Sequence, residues 1–267
     1  MHITKMHGLG NDFIVTDEKA EDWSAAAKKL CERRISVGAD GLLVAEPSDV
    51  ADVKMRIINA DGSEAEMCGN GIRCFARYVY DRGIVSNKTM SIETLAGVMK
   101  PVLIMRGGEV EAVRVDMGKP SFIPSEIPIL TAEPLDFEVA GLRGACVLMG
   151  VPHTMILVES LADTDVDGLG ARIEKAEIFP RKTNVNFVEI IDRQNVRMCT
   201  WERGAGRTLA CGTGATGVGV MLYKKGLAES ETDVHVAKGS LHIENAADGR
   251  AYMTGAAEYV FEGEVRV

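Results

Sequence analysis

The sequence predicts a β-rich α/β or α+β protein built from two related halves, and three observations carry that expectation. The chain repeats itself: residues 55–83 read MRIINADGSEAEMCGNGIRCFARYVYDRG and residues 198–226 read MCTWERGAGRTLACGTGATGVGVMLYKKG, so a shift of 143 residues superposes Cys68 on Cys211. Each copy places a strand-like run (Met55–Ile58, Met198–Trp201) ahead of its cysteine and Gly-x-Gly directly after it. The rest of the chain favours short strands separated by Gly, Pro, Asn and Asp turns.

In chain order the strands are expected at Phe13–Val15, Gly41–Ala45, Met90–Glu93, Val110–Val115, Met155–Val158, Asn186–Ile191 and Val234–Val236. After Cys68, the residues Ile72, Phe75, Ala76, Val79 and Tyr80 recur at three-and-four spacing, which makes one apolar stripe on a helix. After Cys211, Ala215, Val218, Met221 and Leu222 repeat the pattern more weakly. Both helices are expected to stop at a glycine fifteen residues past the cysteine, Gly83 and Gly226, where a left-handed residue closes a helix. The join between halves is expected near Met117–Pro120, where Gly-Lys-Pro leads into a stretch punctuated by Pro120, Pro124 and Pro128.

At 267 residues the chain suits two domains of roughly 100–150 residues. A net charge of −9, with Lys and Arg scattered, argues against a nucleic-acid partner. No apolar segment approaches the ~20 residues of a membrane span, and no leader-like N-terminus is present, so no membrane partner and a cytoplasmic location are expected. The six cysteines contain no C-x-x-C pair, which leaves a metal centre or a dithiol redox site without support. Cys31, Cys74, Cys146 and Cys199 read as small buried hydrophobes.

Cys-Gly-x-Gly at a helix start has a definite chemistry. First-turn N–H groups have no partner inside the helix, and with the helix dipole they form an anion site. The same field lowers a nearby thiol toward the thiolate. Two such sites, if both reach one carboxylate, would place sulfurs on opposite faces of the neighbouring carbon. Inversion at an α-carbon requires that arrangement, because one group removes the proton and another delivers a proton from the opposite side. No lysine stands in a pyridoxal-phosphate context, so no cofactor is expected.

Other readings of the same residues are weaker. Gly212-Thr-Gly-Ala-Thr-Gly217 matches G-x-G-x-x-G, but no acidic residue is convincingly placed about twenty positions on. A phosphate-binding loop without chemistry, or a cysteine hydrolase pairing Cys211 with His153, leaves the matched Cys68 unexplained. A purely structural duplication does not need Cys-Gly-x-Gly twice.

Further motifs carry a family resemblance. His7-Gly-Leu-Gly-Asn-Asp-Phe13, Asn59-Ala-Asp-Gly-Ser63, Met67-Cys-Gly-Asn-Gly71, Arg73-Cys-Phe-Ala-Arg77, Glu202-Arg-Gly-Ala-Gly206 and Ala210-Cys-Gly-Thr-Gly214 resemble the diaminopimelate epimerase family, as do Val115-Asp-Met-Gly118 and Tyr252-Met-Thr-Gly255. The resemblance runs the length of the chain. It implies two pseudo-symmetric domains, each a mixed, mostly antiparallel sheet wrapped around a central helix, with the active site in the cleft between them. Residues 1–117 with the final strand 258–267 would form one domain, carrying Cys68, and 118–257 the other, carrying Cys211.

The resemblance also implies interconversion of LL- and meso-diaminopimelate, a step toward lysine and peptidoglycan, by a homodimer. Cys68 and Cys211 match the family's thiol pair, and His153 and Glu202 match residues that tune it. Gly69, Asn70, Gly212 and Thr213 match the donors to the reacting carboxylate. Asn11, Asn59, Asn184, Glu202 and Arg203 match the remaining substrate contacts. Asn59 in Asn-Ala-Asp-Gly is equally readable as a turn former, and His153 after Pro152 as a structural histidine.

Two positions depart from the best-known family pattern: Gly41, within Gly38-Ala-Asp-Gly41, stands where some members carry glutamine, a variant also familiar in the family, and the second matters more. Met-Gly-Asn-Pro-His is usual, whereas this chain has Met149-Gly-Val-Pro-His153. Valine offers no hydrogen bond to the far end of the substrate, which costs about 1–3 kcal/mol unless water substitutes. Two alternatives therefore stand beside the main expectation: a related racemase acting on a different amino acid, and a non-enzymatic module of the same fold that binds an anion or amino acid.

Overall fold

The computed structural model describes residues 1–266. The chain divides into two compact units, Met1–Val115 with the segment from Thr254 onward, and Asp116–Met253.

The first unit opens with β1 (His2–Gly8), β2 (Asn11–Thr16), α1 (Trp23–Leu30), β3 (Gly41–Glu46), β4 (Val53–Asn59) and β5 (Glu64–Ala65). It continues with α2 (Gly69–Asp81), β6 (Ile92–Thr94), β7 (Gly97–Met99), β8 (Val102–Arg106) and β9 (Glu109–Gly118). The second unit follows with β10 (Phe137–Val139), β11 (Leu142–Met149), β12 (Val151–Leu157), α3 (Val166–Glu174), β13 (Asn184–Ile190), β14 (Asn195–Glu202) and β15 (Gly206–Thr208). Then come α4 (Gly212–Lys224), β16 (Glu231–Val236), β17 (Gly239–Asn245) and β18 (Ala251–Gly255), and β19 (Glu258–Glu264) belongs again to the first unit.

In the first unit the strands lie in the order β19-β1-β2-β3-β4-β6-β7, with β5 beside β4. Helix α2 packs on β1 to β4 and α1 packs on β4. Alternation along the strands sends Ile14, Leu42, Val44 and Ile58 into the core with Trp23, Ala27 and Leu30 of α1. The opposite residues face α2: a Cβ built on Gly71 would touch Leu43 and Phe13 at 3.4 and 3.5 Å. A sheet covered on both sides explains why Phe13–Thr16 and Gly41–Ala45 are buried without a break.

The second unit repeats this plan. Its strands run β10-β11-β12-β13-β14-β16-β17-β18, with β15 beside β14. Helix α4 packs on β11, β12, β13, β16 and β17, and α3 packs on β13, β14 and β15. In both units a parallel pair (β2 with β3, β12 with β13) is followed by an antiparallel strand and then a second parallel pair (β4 with β6, β14 with β16). The 143-residue shift carries α2 onto α4 end for end, Gly69 onto Gly212 and Asp81 onto Lys224. Gly83 and Gly226 close the two helices at φ 70° and 71°.

Every strand read from the sequence lies on an observed one, although that expected at Met90–Glu93 is displaced to Ile92–Thr94. Helices α1 and α3 are additions. Asp22 caps α1 by accepting the Ala25 N–H at 3.1 Å. Helix α3 contains Gly168 and Gly170, residues that weaken a helix. Gly170 is needed because Trp201 lies against the helix, where a Cβ would come within 2.6 Å of Cγ. Among the described residues no helix is long and apolar enough to cross a membrane.

Candidate active site

Cys68 and Cys211 occupy the same local position, the N-cap residue of α2 and of α4, each with extended backbone (φ −141°, ψ 118° and φ −125°, ψ 111°). Gly69, Asn70 and Gly71 form the first turn behind one thiol, and Gly212, Thr213 and Gly214 the first turn behind the other. Each first turn offers backbone donors at the positive end of a helix dipole.

Around Cys68 the contacts have both signs. The Gly71 N–H donates to Sγ at 3.4 Å, which favours the thiolate. Asn11 Oδ1 lies 3.7 Å from Sγ and accepts from it, which favours the thiol. The orientation of Asn11 follows from Asp40, whose carboxylate accepts from Asn11 Nδ2 at 2.7 Å and so leaves Oδ1 toward the cysteine. Asn70 Nδ2 donates to the same Oδ1 at 3.1 Å, and Asn70 Oδ1 in turn accepts from buried Arg73 at 2.9 Å.

Behind Asp40 lies an ion network. Arg33 joins Asp40 at 2.9 Å and also pairs with Asp12, and buried Lys5 reaches Asp12 at 2.6 Å and the Gly38 carbonyl. Burial alone would raise the Asp12 carboxyl, but hydrogen bonds from Arg33 and Lys5 outweigh it and hold the group at about 2. Asn59 ends β4, where its amide donates to Ser63 Oγ at 3.0 Å. Its register partner is Gly41, so Asn11, Asn59 and Cys68 gather at one end of this sheet.

The surroundings of Cys211 differ. Its Sγ lies 3.5 Å from Thr213 Oγ1, and that hydroxyl lies 3.0 Å from His153 Nε2. His153 is completely buried; desolvation first, and the Arg203 charge second, push it down to about 3, so the ring is neutral at ordinary pH. The neutral ring thus stands one hydroxyl away from the Cys211 sulfur. Asn184, its register partner on β13, donates to the Pro152 carbonyl at 3.0 Å and accepts the Arg203 N–H at 2.8 Å. The Arg203 guanidinium is exposed and donates to the Arg181 carbonyl, and the Glu202 carboxylate accepts from the Thr208 hydroxyl at 2.7 Å.

The sequence-predicted residues thus fall into two groups. Asn11, Asn59, Cys68, Gly69 and Asn70 belong to the first unit; His153, Asn184, Glu202, Arg203, Cys211, Gly212 and Thr213 belong to the second. Val151 begins β12 just after the left-handed turn residue Gly150, and its side chain is about a third exposed (36%).

Three residues of these networks were missed from sequence. Asp40 orients Asn11, and Asn186 bonds His153 at 3.4 Å from a fully buried position. Gly214 admits Asn186, because a Cβ there would meet Asn186 Oδ1 at 2.6 Å. A signal existed for Asn186: it follows Asn184 by two in a strand, so both amides share one face of an otherwise apolar run.

Three of the other thiols are poor nucleophiles. Burial pushes Cys31 up to about 11 and Cys74 and Cys146 up to about 12. Cys199 is only half-buried, unlike the core residue the sequence suggested.

The diaminopimelate epimerase family model matches residues 3–123 and 145–260. A diaminopimelate epimerase of Caldanaerobacter subterraneus is 48% identical over 274 residues, covering 100% of both chains. One from Moorella thermoacetica is 46% identical over 99% of each. Among solved structures, a probable proline racemase from Agrobacterium radiobacter superposes with a TM-score of 0.73 at 16% identity, covering 100% of this chain and 93% of that one. A phenazine-biosynthesis protein of the PhzF family from Bacillus anthracis gives 0.74 at 17%, covering 100% and 99%. Those two share the fold. Identity approaching one half along the full length, together with the family match over both cysteine helices, makes this chain a member of the diaminopimelate epimerase family.

Proposed function

We propose that the chain interconverts LL- and meso-diaminopimelate, with Cys68 and Cys211 as the two acid–base groups at a single α-carbon. One sulfur, as thiolate, takes the α-proton; the other, as thiol, gives a proton to the opposite face, and the roles exchange in the reverse direction. The first-turn N–H groups of Gly69, Asn70, Gly212 and Thr213 hold the carboxylate and stabilise the charge that develops beside the carbanion. The reaction proceeds without pyridoxal phosphate. The substrate lies between the two domains, Asn11, Asn59, Asn184, Glu202 and Arg203 contribute its remaining contacts, and the enzyme acts in the cytoplasm as a homodimer.

The observation that supports this reading best is the repeated cysteine at the N-cap of two superposable helices. A base that must serve as an acid in the other direction needs support in both protonation states. Cys68 has a donor in Gly71 and an acceptor in Asn11.

Val151 favours a second reading of the substrate, a different amino acid with a less polar far end. Incubation in D2O with LL-diaminopimelate and with a panel of single-centre amino acids separates the two. Deuterium at the α-carbon with formation of the meso isomer is expected. Turnover confined to the panel refutes diaminopimelate as substrate, and binding without exchange refutes an enzyme altogether.

A further inference from the structure

The relay beside Cys211 extends one residue beyond those the reaction would need to touch. Asn186 lies fully buried on β13. Its Nδ2 donates to the Thr154 carbonyl at 3.2 Å, and its Oδ1 accepts from the Thr200 hydroxyl at 3.1 Å. A backbone carbonyl can only accept, so Thr154 decides which way the amide faces. The second hydrogen of Nδ2 then points to His153 Nδ1, 3.4 Å away. A ring nitrogen facing an N–H donor must carry the lone pair, and in a neutral imidazole the proton then resides on Nε2. That Nε2–H meets Thr213 Oγ1 at 3.0 Å and occupies it as an acceptor. The threonine's own hydrogen is left for Sγ of Cys211 at 3.5 Å.

We propose that Asn186 is a positioning residue that fixes the Nε2–H tautomer of His153 and so turns the Thr213 hydroxyl into a hydrogen-bond donor favouring the Cys211 thiolate. The opposite tautomer would reverse every step. With the proton on Nδ1, Nε2 becomes an acceptor, the threonine hydrogen goes to the histidine, and Cys211 loses this donor. Burial keeps the ring neutral, so the choice between tautomers is made by hydrogen-bond partners alone. Close packing enforces the geometry, since any side chain at Gly214 would collide with Asn186 Oδ1. The inference rests on Cys211 being an acid–base group, but its readouts need no substrate.

The test uses the full-length protein labelled with ¹⁵N-histidine, together with iodoacetamide alkylation of Cys211 followed by peptide mass spectrometry at pH 7. In the unaltered protein, His153 should show a bare Nδ1 and a protonated Nε2 across pH 5–9. Asn186→Asp replaces the donor by an acceptor; it should move the proton to Nδ1 and slow Cys211 alkylation about tenfold, the loss of one hydrogen bond to a charged sulfur. A protonated Nδ1 in the unaltered protein overturns the proposal. So does an unmoved tautomer in Asn186→Asp, or a moved tautomer with unchanged alkylation. If Asn186→Asp does not fold, Thr213→Val tests the last link: alkylation should slow about tenfold while His153 keeps its Nε2 proton, and unchanged alkylation overturns it. A protein that passes these tests yet fails to exchange the α-hydrogen of diaminopimelate would refute the function while leaving the relay intact.

Discussion

Replacing Asp12 by Asn perturbs the ion network that leads to Asn11 and through it to Cys68. Two effects add at neutral pH. The carboxylate sits at about 2 in the folded chain against 3.8 when unperturbed, which corresponds to roughly 2 kcal/mol of stability. The substitution also leaves Lys5, 6% exposed, without its anionic partner. Breaking one side of a buried pair costs about 3–5 kcal/mol in total, and Asp12→Asn is expected in that range.

The pH dependence separates the electrostatic part from simple disruption. A carboxylate depressed on folding contributes fully above its unfolded value and loses that contribution as pH falls toward its folded value. The stability gap between the original chain and Asp12→Asn should therefore narrow by roughly 2 kcal/mol between pH 5 and pH 2. Trp23 in α1 and Trp201 on β14 are the chain's two tryptophans. Urea titrations followed by fluorescence in a Trp201→Phe background thus report on the first unit alone. A gap that stays constant over this pH range refutes the argument.

Three other predictions concern the site. Cys68→Ala and Cys211→Ala should each lower epimerisation at least a hundredfold, read by circular dichroism of the product, and full activity in either refutes the two-base chemistry. Gly214→Ala, which drives a methyl to 2.6 Å from Asn186 Oδ1 and 3.3 Å from Cys211 Sγ, should lower kcat with little change in the overall melting temperature. Val151→Asn should lower KM for diaminopimelate about tenfold if a polar far end binds there, and an unchanged KM removes position 151 from recognition.

The part of the fold legible in the sequence is the part that uses local chemistry. Cys68 and Cys211 as caps, glycines at the left-handed ends, and one apolar stripe between them predict α2 and α4 without tertiary information. Helix α3 escapes because it carries two helix-weakening glycines, and one of them, Gly170, answers to a remote residue, Trp201, rather than to local helix preference. The edges of the site escape for a related reason. Asp40 matters through the amide it orients across a loop, and Asn186 through a carbonyl on the neighbouring strand. Neither role exists until the strands are paired. The repeat supplied the two thiols and the resemblance the residues beside them, whereas Asp40 and Asn186 emerged only from the hydrogen-bond geometry.

The return of β19 to the edge of the first sheet bears on how the enzyme is made. Arg73 and Arg77 on α2 donate to the carbonyls of Ala256 and Ala257 at 3.1 and 2.7 Å, and Met1 exchanges backbone hydrogen bonds with Val265 at 2.9 and 3.0 Å. The helix bearing Cys68 is thus clamped by residues that leave the ribosome after the whole of the second unit, whereas the unit bearing Cys211 is already complete at Met253. The half synthesised first is finished second, so a nascent or truncated chain holds one finished thiol site and one unfinished one.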